Sequence, residues 1–184
     1  MNLPEDIKNL ADLAVYDQSK FWDLWIELNK LEEKTAISTC IYIIKNYNSH
    51  DNFFIAVELT DFLIKKEAYN CLDEMIFLRK ESKTRKVIGS SRRKLDMNIE
   101  IMEIYANTDI DFFKCTCQVY SFYLANPKSC KDIEILSERN PSDGYVEMNE
   151  IKAKCTRCGT PWKITEESYS STGTKIKWEY DGAG

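Results

Sequence analysis

Apolar residues recur at helical spacing along the first hundred positions. Ile7, Leu10, Ala11 and Ala14 share one face of a helix predicted from Leu3-Pro4-Glu5-Asp6 to about Val15; proline suits its first turn and the carboxylates complement the positive end of the dipole. Asp17-Gln18-Ser19 opens a second helix, on which Phe21, Leu24, Trp25, Leu28 and Leu31 make a broad aromatic stripe. Ile37, Cys40, Ile41, Ile43, Ile44 and Tyr47 follow and are apolar on more than one side, which places that helix between neighbours. Phe54, Val57, Phe62 and Leu63 mark the next helix, and Leu72, Met75 and Ile76 the one after. A last helix runs through Leu95, Ile99, Met102 and Ile104 to about Tyr105. Trp22, Trp25 and Phe62 are the expected centre of the helical core.

A shift of 31 residues lays Glu27-Leu28 on Glu58-Leu59, Leu31 on Phe62, Lys34 on Lys65, Cys40 on Cys71 and Ile41 on Leu72. A period near this length, with two helices per unit, marks helical-repeat arrays; an antiparallel bundle is the other reading.

Asn107-Thr108-Asp109 breaks the helical pattern, and from Phe112 the texture turns to β. Val119, Tyr120, Phe122 and Tyr123 are strand formers, read as a strand that Asn126-Pro127-Lys128 ends. Ile133 and Ile135 alternate in a second strand, before the turn-rich Asn140-Pro141-Ser142-Asp143-Gly144. Tyr145 to Met148 begins a third that reaches Cys155. Trp162 and Ile164 alternate outward and Ile176, Trp178 and Tyr180 alternate back, with Ser170-Ser171-Thr172-Gly173 as the loop of an aromatic-faced hairpin. The expected class is therefore α+β. An antiparallel helical array over residues 1–107, HEAT-like or a bundle, packs on a β-rich, zinc-ribbon-like unit over 108–184.

Cysteine placement sharpens this picture. Cys115-Thr116-Cys117 and Cys155-Thr156-Arg157-Cys158-Gly159 are two short-spaced pairs about forty residues apart, as a tetrahedral metal site requires. Zinc is the expected ion, held by Cys115, Cys117, Cys155 and Cys158 in a structural role, because four thiolates leave no open position. Free thiols are the plain alternative, and Cys130, between the pairs, competes for a ligand place. Seven cysteines, an odd number, suit metal binding better than a disulfide framework.

Charge and composition exclude more than they specify. The hydrophobic fraction is 43% and the charged fraction 30%, ordinary for a globular chain. No apolar run approaches the roughly 18 to 20 residues of a spanning helix, and the N-terminus lacks the pattern of a signal peptide; a cytoplasmic protein is expected. Net charge is −5, against generic attraction to nucleic acid. Residues 79–94 depart from that balance with eight bases (Arg79, Lys80, Lys83, Arg85, Lys86, Arg92, Arg93, Lys94) to one acid, Glu81. They read as a solvated helix end or as a phosphate-binding patch, without the interleaved aromatics of a single-strand binder. His50, the one histidine, reads as a surface loop residue. No phosphate loop, nucleophile elbow or Cys-His pair with an orienting third group occurs, so no enzyme is expected.

The C-terminal pattern of both cysteine pairs, Trp162-Lys163-Ile164, Tyr169 and Trp178-Glu179 resembles small bacterial immunity proteins of polymorphic toxin and contact-dependent growth inhibition systems. The resemblance covers about the last seventy residues. It implies a cytosolic, non-enzymatic protein that binds and neutralises one cognate toxin, without assigning contact residues. A toxin that attacks nucleic acid has a basic cleft, for which Glu27, Glu32, Glu33, Glu58 and Asp61 are the candidate carboxylates. The alternative is a zinc-ribbon nucleic-acid-binding or transcription-associated module that uses residues 79–94; only Lys152, Lys154 and Arg157 stand as bases near the second cysteine pair.

Overall fold

The computed structural model of the chain describes residues 4–17, 19–47, 53–84, 89–106, 113–141, 147–169 and 173–182. They form an α+β protein of two compact units, Met1–Thr108 and Asp109–Gly184. His50 and most of its connector, the Asn107-Thr108-Asp109 break, and Arg85 and Lys86 of the basic run lie outside the described residues. No described helix is long and apolar enough to cross a membrane.

The first unit contains α1 (Glu5–Tyr16), α2 (Lys20–Lys30), α3 (Glu33–Tyr47), α4 (Phe54–Lys65), α5 (Leu72–Thr84) and α6 (Ser90–Tyr105). Pro4 caps α1 in an extended conformation, with Glu5 and Asp6 in the first turn; Ile7, Ala11 and Ala14 are buried on one face. Asp17 turns the chain into α2 by accepting the Ser19 N–H at 2.9 Å. Most of α4 is buried, from Ile55, Ala56 and Val57 through Leu59, Thr60, Phe62, Leu63 and Ile64. A helix that buries so much of its circumference has to lie inside its unit, with Glu58, Asp61 and Lys65 on its remaining face. Helices α1 and α2, α3 and α4, and α5 and α6 pack in sequential pairs, while α3 also meets α5 and α4 meets α6. That is the order in which helical hairpins stack on one another.

One expectation for this core is corrected. Phe62 is buried and Trp25 half-buried, but Trp22 is 64% exposed. The buried face of α2 runs through Phe21, Leu24 and Leu28, and at about 100° per residue Trp22 falls on the flank. Phe21 takes the central place, 5.7 Å from the Trp25 ring and 5.6 Å from Phe54. Trp25 meets Phe62 edge-on at 5.2 Å beneath the Lys65 ammonium.

Part of the basic run is spent inside this unit. Lys94 reaches Glu58 and Asp61, both at 2.7 Å, and one turn further along α6 Asn98 donates to Thr60 Oγ1 and Asp61 Oδ1 at 2.6 and 2.7 Å. Burial alone would lower the Lys94 pKa, but the two carboxylates outweigh it and hold the ammonium above its ordinary range. Arg92 pairs with Asp96 at 2.8 Å and donates to the Ser82 hydroxyl and the Arg79 carbonyl of α5.

The second unit opens with a further correction. The segment expected as a strand from Val119 to Tyr123 is a helix, α7 (Thr116–Tyr123). Its β-forming residues bury Thr116, Cys117, Val119 and Tyr120, which is helical spacing, and extended Cys115 serves as N-cap while Gln118 Oε1 reaches back to the Lys114 N–H at 2.7 Å. Leu124, at φ 54°, ends the helix, and Asn126 then caps a 3-10 turn, Pro127–Ser129. Strands β1 (Ile133–Arg139), β2 (Glu147–Cys155), β3 (Pro161–Tyr169) and β4 (Gly173–Tyr180) form an antiparallel sheet in sequence order. Register sets Ile151 opposite Ile164 and Ile164 opposite Trp178. Trp162 and Trp178 meet edge-on at 5.5 Å, and Trp178 Nε1 donates to the Ala125 carbonyl just beyond α7.

These assignments are separable by mutation. Phe21→Ala is expected to cost about 3–5 kcal/mol of unfolding free energy, and Trp22→Ala no more than about 0.5 kcal/mol. Urea unfolding curves with equal midpoints for the two variants would show that the faces of α2 are misassigned.

Candidate metal centre

Both cysteine pairs sit where regular structure begins or ends. Cys115 is the N-cap of α7 and Cys117 lies in its first turn. Cys155 is the last residue of β2, and Cys158 lies in the turn to β3. That turn is closed by the Cys155 N–H on the Thr160 carbonyl and the Gly159 N–H on the Cys155 carbonyl, both at 2.9 Å. Gly159 has φ +77° with no close neighbour, so its backbone conformation, and not crowding, calls for glycine.

The fold brings the four sulfurs together, all within 4.8 Å of one another. Cys115 Sγ lies 3.6 Å from Cys155 Sγ, and Cys117 Sγ 3.5 Å from Cys158 Sγ. A disulfide would need about 2.05 Å, and all seven cysteines are free thiols. A tetrahedron of sulfurs about 2.3 Å from a zinc ion has edges of about 3.8 Å. The two short spacings differ from that edge by tenths of an ångström and the widest of the set by no more than about 1 Å, so the four residues fit such an ion.

Hydrogen bonds prepare part of this set for ionisation. Burial and then the neighbouring Cys115 sulfur push the Cys117 thiol well up. Burial also raises Cys155, against N–H donation from Cys158 and Arg157. Cys158 goes the other way: burial opposes its ionisation, but the hydroxyl and N–H of Thr160, with the Cys115 and Cys117 thiols, bring it down to about 6.

Asp132 joins the two halves, a role that sequence reasoning missed. Its buried carboxylate accepts the Thr116 hydroxyl at 2.6 Å, and its carbonyl accepts the Thr156 N–H at 2.9 Å and the Thr156 hydroxyl at 3.3 Å. A threonine thus follows the first cysteine of each pair and turns toward one aspartate. The recurrence of Cys-Thr in both pairs is the signal that could have revealed it. Cys130 stays outside the group of four: its thiol donates to the Asn126 carbonyl at 3.2 Å, and burial, then Asp132, push it up.

Compared with protein-family models, curated proteins and solved structures, the chain matches none.

Two expectations follow from this geometry. In metal-free protein at pH 7, iodoacetamide should label Cys158 first, at a rate that falls as pH drops through about 6; first labelling at Cys117 or Cys155, read by peptide mass, would contradict the hydrogen-bond assignment. Asp132→Ala, which removes the acceptor of the Thr116 hydroxyl beside the first cysteine pair, should weaken metal affinity by no more than about 10-fold, the low end of the cost of a lost outer-shell contact, whereas Asp132→Asn, which keeps an acceptor for Thr116, should lose less. Competition against a chromophoric chelator measures both.

Proposed function

We propose that this chain is a non-enzymatic zinc-binding protein, in which one Zn²⁺ held by Cys115, Cys117, Cys155 and Cys158 fastens α7 to the β2–β3 turn as a zinc-ribbon-like structural centre. The four-sulfur cluster carries this reading. Four thiolates saturate a tetrahedral ion and leave no place for water or substrate, so the metal contributes folding energy and no chemistry. Each thiol gives up its proton on binding, which makes metal uptake weaken as pH falls.

Function then rests on binding, and the resemblance of the cysteine and tryptophan pattern to bacterial immunity proteins supplies the partner: a cognate toxin, neutralised by occlusion. Glu58 and Asp61 are engaged by Lys94, so they drop out of the candidate carboxylates. Exposed Glu32 and Glu33 remain, with Glu27 in a surface pair with Lys30 at 2.6 Å. The internal use of Arg92 and Lys94 also weakens the nucleic-acid reading, because a guanidinium or ammonium already paired offers less to a phosphate.

Purified protein should carry about one zinc per chain. Cys117→Ser and Cys155→Ser should lose it and Cys130→Ser should keep it; elemental analysis decides, and chelation should abolish the β signal in circular dichroism. Co-expression with the product of the adjacent reading frame tests the partner. A product toxic alone and silenced stoichiometrically, with an association rate that falls steeply with salt, is the expected result. A harmless neighbour, together with affinity of this chain for DNA or RNA, would discard the immunity reading and leave the zinc reading standing.

A further inference from the structure

The four sulfurs of the cluster are unequal in access. Cys115, Cys117 and Cys155 are buried, and Cys158 is exposed, so a solute meets the centre at one sulfur. Directly behind it, 3.5 Å away, is the buried Cys117 Sγ. An accessible sulfur backed at short range by a second one is the arrangement of an oxidation site with its resolving cysteine. We infer that Cys158 is an oxidation site at which a hydroperoxide converts the zinc centre into a Cys117–Cys158 disulfide and expels the metal. This inference rests on the zinc reading above.

Two thiolates supply the two electrons that the peroxide consumes. Cys158 sulfur attacks the terminal peroxide oxygen; an S–O bond forms, the O–O bond breaks, and the departing alkoxide or hydroxide takes a proton from water. Cys117 sulfur then attacks the Cys158 sulfenic acid; the S–S bond forms, the S–O bond breaks, and hydroxide leaves and is protonated to water. The ion is left with Cys115 and Cys155 alone, too few thiolates to hold it against solvent or a chelator. Bond formation needs the two sulfurs to close from 3.5 Å to about 2.05 Å, a movement that the turn carrying Cys158 can supply.

The disulfide joins the same two segments as the ion, the first turn of α7 and the β2–β3 turn. Zinc loss by oxidation therefore keeps a covalent link between these segments, whereas zinc loss by chelation leaves only the hydrogen bonds through Asp132 and Trp178. Cys115 and Cys155, at 3.6 Å, form the second such pair and take up a second peroxide. Cys40, Cys71 and Cys130 compete poorly: all three are buried, and the Cys40 and Cys130 thiols are engaged by the Leu59 and Asn126 carbonyls.

The test uses the full zinc-loaded chain, its metal content measured first, treated with limiting hydrogen peroxide beside a chromophoric chelator. The expected result is release of about one zinc per peroxide consumed, in step with a Cys117–Cys158 cross-linked peptide, with rebinding after thiol reductant. The Cys130→Ser variant should release zinc at the same rate. Zinc retained while sulfurs elsewhere oxidise, a first disulfide between Cys155 and Cys158, or release abolished by Cys130→Ser would each overturn the inference. A chain with no zinc before peroxide is added overturns the metal reading itself, and the initial measurement separates the two failures.

Discussion

Four thiol sulfurs held within 4.8 Å of one another are the constraint around which the second unit is arranged. Helix α7 has eight residues, too few to persist in water without support, and β1 and β4 are edge strands with largely exposed side chains. The closure at the cysteines joins the start of α7 to the end of β2, and Asp132 repeats the connection through Thr116 and Thr156. At the far end of α7, the Trp178 indole reaches the Ala125 carbonyl. The short helix therefore meets the four-cysteine cluster and the Asp132 hydrogen bonds at one end and a tryptophan at the other. Small β-rich units commonly need such a staple because their apolar core is limited.

The first unit is built on a different principle. Its centre is the largely buried α4, and the polar groups that meet α4 do so in matched sets. Lys94 and Asn98, one turn apart on α6, face Glu58, Thr60 and Asp61. Arg92 ties α6 to α5. Half-buried charges of this kind add little net stability, yet each would be costly to leave unpaired, so they fix how α6 docks against its neighbours. Net charge and local charge runs are thus poor guides to the outer surface, since several of these groups face inward.

The proposed zinc centre and the proposed oxidation site draw on the same four sulfurs without conflict. A structural ion would need all four sulfurs near one point, and that proximity leaves each sulfur a close partner, at 3.6 Å for Cys115 and Cys155 and 3.5 Å for Cys117 and Cys158. Exposure then selects which sulfur is met first. The sole exposed member is Cys158, to which Thr160 donates from both hydroxyl and backbone.

Much of this architecture was legible in the sequence. The 3.6-residue period located the helices of the first unit, alternation located β1, β3 and β4, and paired spacing selected the four cysteines, because each signal depends on residues close together in the chain. The run from Val119 to Tyr123 was misread, since β-branched and aromatic residues favour strands in isolation while burial of Thr116, Cys117, Val119 and Tyr120 decides for helix. Trp22 was expected in the core, although it lies off the stripe of Phe21, Leu24, Trp25 and Leu28, and the orientation of α2 turns it outward. The exclusion of Cys130, the bracing by Asp132 and the capture of Lys94 by Glu58 and Asp61 were likewise decided by tertiary structure. Each joins residues from 16 to 36 positions apart or depends on which backbone carbonyl a thiol happens to face. Local pattern carries no information about such pairings, because they exist only once separate elements have packed.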